Sequence, residues 1–127
     1  MRIRQGVDIV ETARLRRLVE ASPGIADSIF TASERRYCMA KKDPYPHLAG
    51  TFAAKEALLK ALGRGLRTGI DAALLEIEVR RAPSGMPRLR LSGSVSRLAE
   101  RLGAAEATVS ISHCADYAVA TVILAGS

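Results

Sequence analysis

Glu56 and Lys60 stand four residues apart in an Ala- and Leu-rich stretch, Thr51-Phe-Ala-Ala-Lys-Glu-Ala-Leu-Leu-Lys-Ala-Leu-Gly63. On a helix that spacing puts both on one side, one turn apart. Two readings are open. The plain one is an ion pair with the acid N-terminal, contributing roughly 0.2–0.5 kcal/mol. The other is a carboxylate that binds a cation, beside an ammonium that meets an anionic substrate. Asp8 lies between Val7 and Ile9 in a strand pattern, although Asp is depleted in strands. Taken alone, it reads as a strand-end residue or as a cap for the next helix. His113 taken alone reads as a surface turn histidine. Two cysteines, Cys38 and Cys114, and two histidines give neither a disulfide framework nor zinc-ligand spacing.

These groups need elements to hold them. Ala and Leu are strong helix formers, Pro46 suits a first turn, and Gly63 suits a left-handed cap. Ala53, Ala54, Ala57, Leu58, Ala61 and Leu62 fill one broad arc, so the helix is expected to be largely buried, with its few charged groups opening onto a cleft or finding partners. Arg2 to Val10 reads as a strand with Ile3, Val7 and Ile9 on one face. Thr12 to Ala21 reads as a short amphipathic helix, Leu15, Leu18 and Val19 inward and Arg14, Arg16 and Arg17 outward. Ser22-Pro-Gly24 breaks it, and a short helical segment, Ile25 to Phe30, follows. Thr31 and Glu34 form a capping box for a helix to about Lys42, which Asp43-Pro-Tyr-Pro46 stops. Arg64 to Gly69 is a glycine-rich basic loop whose N–H groups could meet phosphate, or a plain connector.

Beyond it, Leu75, Ile77 and Val79 alternate with polar residues as a strand, Pro83 to Pro87 turns the chain, and Arg88 to Leu91 returns as its partner. Ser94 caps a helix with Leu98 and Leu102 inward. Thr108 to Ser112 and Tyr117 to Leu124 are two last strands, joined by a turn at His113 to Asp116. The order β-α-α-α-β-β-α-β-β, without a repeated βαβ unit, predicts an α+β fold with an antiparallel sheet packed against a long central helix and shorter helices.

A length of 127 residues predicts a single domain spanning 1–127. No apolar run approaches the roughly 20 residues of a membrane span, and no signal-peptide core precedes the first strand, so the expectation is a cytoplasmic protein that does not enter a membrane. The net charge of +6 favours an anionic partner. Nucleic acid is not that partner on this reading, because the few aromatics do not interleave with basic residues as a stacking platform requires. An acidic protein or a phosphate-rich small molecule fits at least as well.

Five motifs then appear in order: Gly6-Val-Asp-Ile-Val-Glu11; Phe30-Thr-Ala-Ser-Glu34; Leu48-Ala-Gly-Thr-Phe-Ala-Ala-Lys-Glu-Ala57 with Lys60-Ala-Leu-Gly63; Gly85-Met-Pro87; and Ser110-Ile-Ser-His113 with Tyr117-Ala118. Together they strongly resemble the holo-acyl-carrier-protein synthases, the small type of 4′-phosphopantetheinyl transferase, from about Arg4 to Ile123. The resemblance implies that fold, and a magnesium-dependent transfer of phosphopantetheine from coenzyme A to a serine of an apo acyl carrier protein, with release of 3′,5′-ADP. It implies Asp8 and Glu56 as ligands of Mg²⁺, or of Mn²⁺, and Lys60 as the cation for the phosphoryl group. Lys60, Gly63, Gly85, Pro87, Ser112 and His113 would bind coenzyme A, with His113 near the 3′-phosphate end. Arg14, Arg17 and Leu18 would dock the acidic carrier. A homotrimer with sites at its subunit junctions is implied as well.

Two positions depart from the pattern. Thr51 replaces a common Arg or Lys, and Met86 a common Lys, with Arg64, Arg67 and Arg88 as possible compensating cations. Two other classes stay open, a basic module that docks carrier proteins or nucleic acid without turnover and a magnesium-dependent hydrolase of coenzyme A or nucleotides. Which carrier is served, and which group is the general base (Glu56, a metal-bound water, or a group near His113), are not set by these residues.

Overall fold

The long helix is the element on which the others pack. In the computed structural model, which describes residues 2–22, 24–64 and 72–126, it runs Pro44–Ala61 and is labelled α4. Its start differs from expectation: Asp43-Pro-Tyr-Pro46 opens this helix instead of lying ahead of it. The Asp43 carboxylate accepts the Tyr45 N–H at 3.1 Å, and the prolines fall in a first turn that has no use for their missing N–H groups. The end is as predicted. Gly63 has φ 83°, its N–H meets Lys60 O at 2.9 Å, and Arg64 N–H meets Leu59 O at 2.7 Å, a closure that glycine permits.

Among the described residues the antiparallel strands are β1 Arg2–Glu11, β2 Ile77–Arg81, β3 Pro87–Leu91, β4 Glu106–His113 and β5 Tyr117–Gly126. The expected sheet is in fact two: a three-stranded one in the order β1-β5-β4 and a separate β2-β3 hairpin. Asp8 faces Ala120, and Ala120 faces Ile111. Helix α4 lies across the larger sheet with its small residues against it. A Cβ on Gly50 would come within 2.8 Å of the Ile111 side chain, and one on Gly6 within 1.9 Å of the Ala57 carbonyl oxygen. The helix therefore meets β4 near its first turns and β1 near its last. Val10, Ala118, Ala120, Val122 and Leu124 fill the interface. Ile3, Val7 and Ile9 share a face as the alternation predicts, but it is the open one, exposed to 65%, 53% and 65%.

The remaining elements are α1 Thr12–Ala21, α2 Ile25–Ile29, α3 Ala32–Met39, a 3₁₀ turn at Ala72–Glu76 and α5 Gly93–Arg101. The Thr31–Glu34 capping box is present, although α3 stops at Met39, short of Lys42. Leu75, read as strand, lies in the 3₁₀ turn and is exposed. Ser94, read as a cap, is inside α5, whose N-cap is Ser92. The capping acceptor comes from elsewhere in the chain: the Glu76 carboxylate takes the Ser94 N–H at 2.9 Å and the Val95 N–H at 3.3 Å. The Ser94 hydroxyl and N–H hold that carboxyl below its ordinary range. His113 ends β4 in register with Ala118, so the turn is Cys114 to Asp116. The basic loop after Arg64, Arg67 included, lies outside the described residues. Among the described residues no helix is long and apolar enough to cross a membrane.

The contact between Gly6 and Ala57 generates a prediction. Gly6→Ala puts a methyl group against backbone that moves only if α4 lifts from β1, and overpacking of this kind costs about 1–3 kcal/mol. Urea denaturation of both proteins measures it, and equal midpoints would show that the two elements separate freely.

Candidate active site

Lys60 reaches off its own helix. Its ammonium donates to Asp8 Oδ1 at 2.8 Å and to the Val7 carbonyl at 3.1 Å, so the partner the structure gives it is the strand acid Asp8. The alternation of β1 turns Asp8, like Gly6 and Val10, toward α4. The bare backbone at Gly6 brings the strand close enough for the bond to form. Asp8 is well shielded and Lys60 is 38% exposed, so the pair sits at a rim, not in the core. Glu56 lies one turn back on α4 and is half-buried. Gly63, at the helix's end, completes this first group. The structure thus gathers Asp8, Glu56, Lys60 and Gly63 around the C-terminal half of α4.

His113 belongs to a second group. A pocket of about 180 Å³ is lined by Tyr37, His47, Gly50, Arg81, Ile111 and His113. The His47 and His113 rings meet edge-on at 4.9 Å, and Arg81 and Lys41 lie 4.8 and 4.5 Å from the Tyr37 ring centre. Burial lowers the His47 imidazole from its usual range, and His113, Lys41 and Arg81 add to this. Such a pocket, carrying a guanidinium and two imidazoles, offers donors to an anion. Arg81 also ties the pocket to the hairpin turn, donating to the Gly85 carbonyl at 3.3 Å. Gly85 has φ 89°, which keeps the turn to Pro87 tight.

Arg81, Tyr37 and His47 were not picked out from the sequence. One signal existed for Arg81: the period-two pattern puts it on the face of Ile77 and Val79, both buried, so a cation there points inward. Ser112 is adjacent to His113 in sequence but faces the opposite side of the sheet by the same alternation, with Val119 as its partner in register. Thr51 does not stand at the surface. It is buried, and its hydroxyl donates to the His47 carbonyl at 2.9 Å, beside the Cys38 sulfur. Met86 is exposed in the hairpin turn.

The two groups lie along α4, His47 and Gly50 toward its start and Glu56 and Lys60 toward its end, with Gly50 and Glu56 about 9 Å apart along the axis at 1.5 Å per residue. On α1, Arg14, Arg16 and Arg17 face solvent as predicted. Leu15 is buried, but Leu18, read as inward, is 37% exposed and joins the arginine face. Arg16 pairs with Glu20 at 3.3 Å and Arg17 with Glu11 at 3.6 Å.

This helix-on-sheet fold has known counterparts. Residues 4–122 match the sequence model of the 4′-phosphopantetheinyl transferase superfamily, and the chain belongs to that family. Within it, its relatives are holo-[acyl-carrier-protein] synthases. That of Syntrophotalea carbinolica is 49% identical over 123 residues, covering 96% of this chain and 94% of its own. That of Moorella thermoacetica is 42% identical, covering 96% and 93%. Among solved structures, the ACPS–CoA complex of Chronobacterium ammoniagenes superposes with a TM-score of 0.85 at 30% identity, covering 100% of this chain and 99% of that one. The Helicobacter pylori holo-[acyl-carrier-protein] synthase in complex with coenzyme A gives 0.78 at 30% identity, covering 95% and 99%.

Proposed function

We propose that this chain transfers the 4′-phosphopantetheine arm of coenzyme A to a serine hydroxyl of an apo acyl carrier protein. The observation that carries the site assignment is the 2.8 Å bond between Lys60 and Asp8, with Glu56 one turn away on the same helix. The serine oxygen forms a new bond to the phosphorus that bears the pantetheine arm. The phosphoanhydride bond breaks, 3′,5′-ADP leaves, and the serine proton passes to a base.

Asp8 and Glu56 are hard oxygen donors, and among the described residues no three His, Cys, Asp or Glu side chains gather. A pair of carboxylates suits Mg²⁺ or Mn²⁺, which typically take one or two with water and substrate phosphates filling the remaining positions. When bound there, such an ion withdraws charge from the pyrophosphate as the anhydride breaks. Lys60 orients the Asp8 carboxylate and supplies a point charge to the phosphoryl oxygens, beside the turn at Gly63. Arg81, His47 and His113 hold the 3′-phosphate end, next to Gly85 and Pro87, so Arg81 takes up the role that Thr51 leaves vacant.

As the family resemblance implies, each site is completed by a second copy, and three copies close a ring. The open sheet face of Ile3, Val7, Ile9 and Ile123 supports this assembly as the surface the copies cover, with Ser112 on that same face. The exposed Arg14, Arg17 and Leu18 form the docking face for an acidic carrier, with electrostatic steering that weakens as salt rises.

Asp8→Asn and Glu56→Gln each remove a ligand oxygen's charge and should lower transfer at least 100-fold while the fold persists. Mass spectrometry of the carrier after incubation with coenzyme A and Mg²⁺ reads this, and near-normal rates in either variant end the metal assignment. Free 3′,5′-ADP without a modified carrier would indicate hydrolysis instead. For the assembly, Ile3→Glu with Ile123→Glu should sediment as a monomer and transfer poorly, and a wild-type chain that is both monomeric and active refutes the shared site. Arg14→Glu should slow association with the carrier and flatten its salt dependence in stopped-flow measurements. An unchanged association rate at low salt rules out α1 as the docking face.

A further inference from the structure

Lys55 precedes Glu56 on α4 and is wholly buried. Its ammonium is 2.6 Å from Glu34 Oε1 and donates to the Ile29 carbonyl at 2.7 Å and the Leu74 carbonyl at 2.9 Å. An ammonium has three N–H groups, and here each has an acceptor on a different segment: the end of α2, the first turn of α3, and the 3₁₀ turn. Glu34 is equally enclosed. It accepts the Thr31 N–H at 2.8 Å and the Val79 N–H at 2.7 Å, the latter from β2. The Phe30 ring, 5.7 Å from the ammonium, closes the site.

For stability alone this arrangement has no clear advantage. Replacing a buried ion pair by apolar groups of similar size is often neutral or stabilising. What three directional bonds supply, and a methionine would not, is one rotational setting of α4 about its axis. That setting governs Glu56 and Lys60. A side-chain head lies roughly 5–6 Å from the helix axis, so each 10° of rotation shifts it by about 1 Å. Displacement of that size at a reacting centre can cost on the order of 100-fold in rate.

We propose that Lys55 is a positioning residue for the transfer reaction, its three bonds setting the azimuth at which α4 presents Glu56 and Lys60 to Asp8. This rests on the reading that Asp8, Glu56 and Lys60 form the catalytic site. Two variants test it: Lys55→Met, and the double variant Glu34→Gln with Lys55→Met. The second leaves no buried charge without its partner, so it avoids the penalty of an isolated buried ion that the first incurs. Carrier modification is followed by mass spectrometry well below each variant's melting temperature, so that unfolding does not contribute. Mn²⁺ affinity is measured alongside by calorimetry.

The expected result is a kcat lowered about 10- to 100-fold, a KM for coenzyme A within about twofold of wild type, and weaker Mn²⁺ binding, in the double variant as well as the single one. A double variant with wild-type kcat and Mn²⁺ affinity overturns the role of Lys55 and leaves it a packing group. A wild-type chain that transfers nothing in the same assay sinks the catalytic reading itself, so the two failures are told apart.

Discussion

The candidate site at the C-terminal half of α4 depends on one close approach, the bare backbone of Gly6 against the Ala57 carbonyl. A side chain at Gly6 would hold β1 away from α4, and Lys60 could no longer span from the helix to Asp8 at 2.8 Å. The small residues along the same side of α4, Gly50, Ala53, Ala57 and Ala61, extend that approach over the whole sheet. They explain why this side of α4 is built from alanine and glycine: larger side chains would bury more apolar area, but would widen the gap that Lys60 must cross.

On its other side α4 meets a different environment. There Lys55 and Glu34 form a closed polar knot in which each N–H and carboxylate oxygen described has a partner, as burial of charge demands. Helix α4 is therefore held by steric contact along the sheet and by directional bonds on the side of α2, α3 and the 3₁₀ turn. Contact limits how far the helix can move, and directional bonds limit how far it can turn. The edge between these two faces is where Glu56 and Lys60 emerge.

Charge is distributed in three separate places: the carboxylate–lysine group at the C-terminal half of α4, the Arg81 and histidine pocket at its start, and the arginine face of α1. A net charge of +6 summarises none of these. The three-stranded sheet, for its part, leaves the apolar face of Ile3, Val7 and Ile9 exposed.

The sequence by itself determined most of the elements and the family to which the chain belongs. Helix α1, the capping box at Thr31, the glycine closure at Gly63 and the β2–β3 hairpin follow from local propensity and turn chemistry, which act within a few residues. The ordered motifs around Asp8, Glu56 and Lys60 were legible for the same reason, since residue types and spacing are written along the chain. What only the tertiary structure decided is what meets across it. Strand alternation tells which residues share a face, but not that the face of Ile3, Val7 and Ile9 is the open one. Lys55 reads as one more helical lysine until Glu34, Ile29 and Leu74 close around it. The cap of α5 comes from Glu76, and the cationic pocket joins Tyr37, His47, Arg81 and His113, because contacts between distant segments depend on packing that no local pattern encodes.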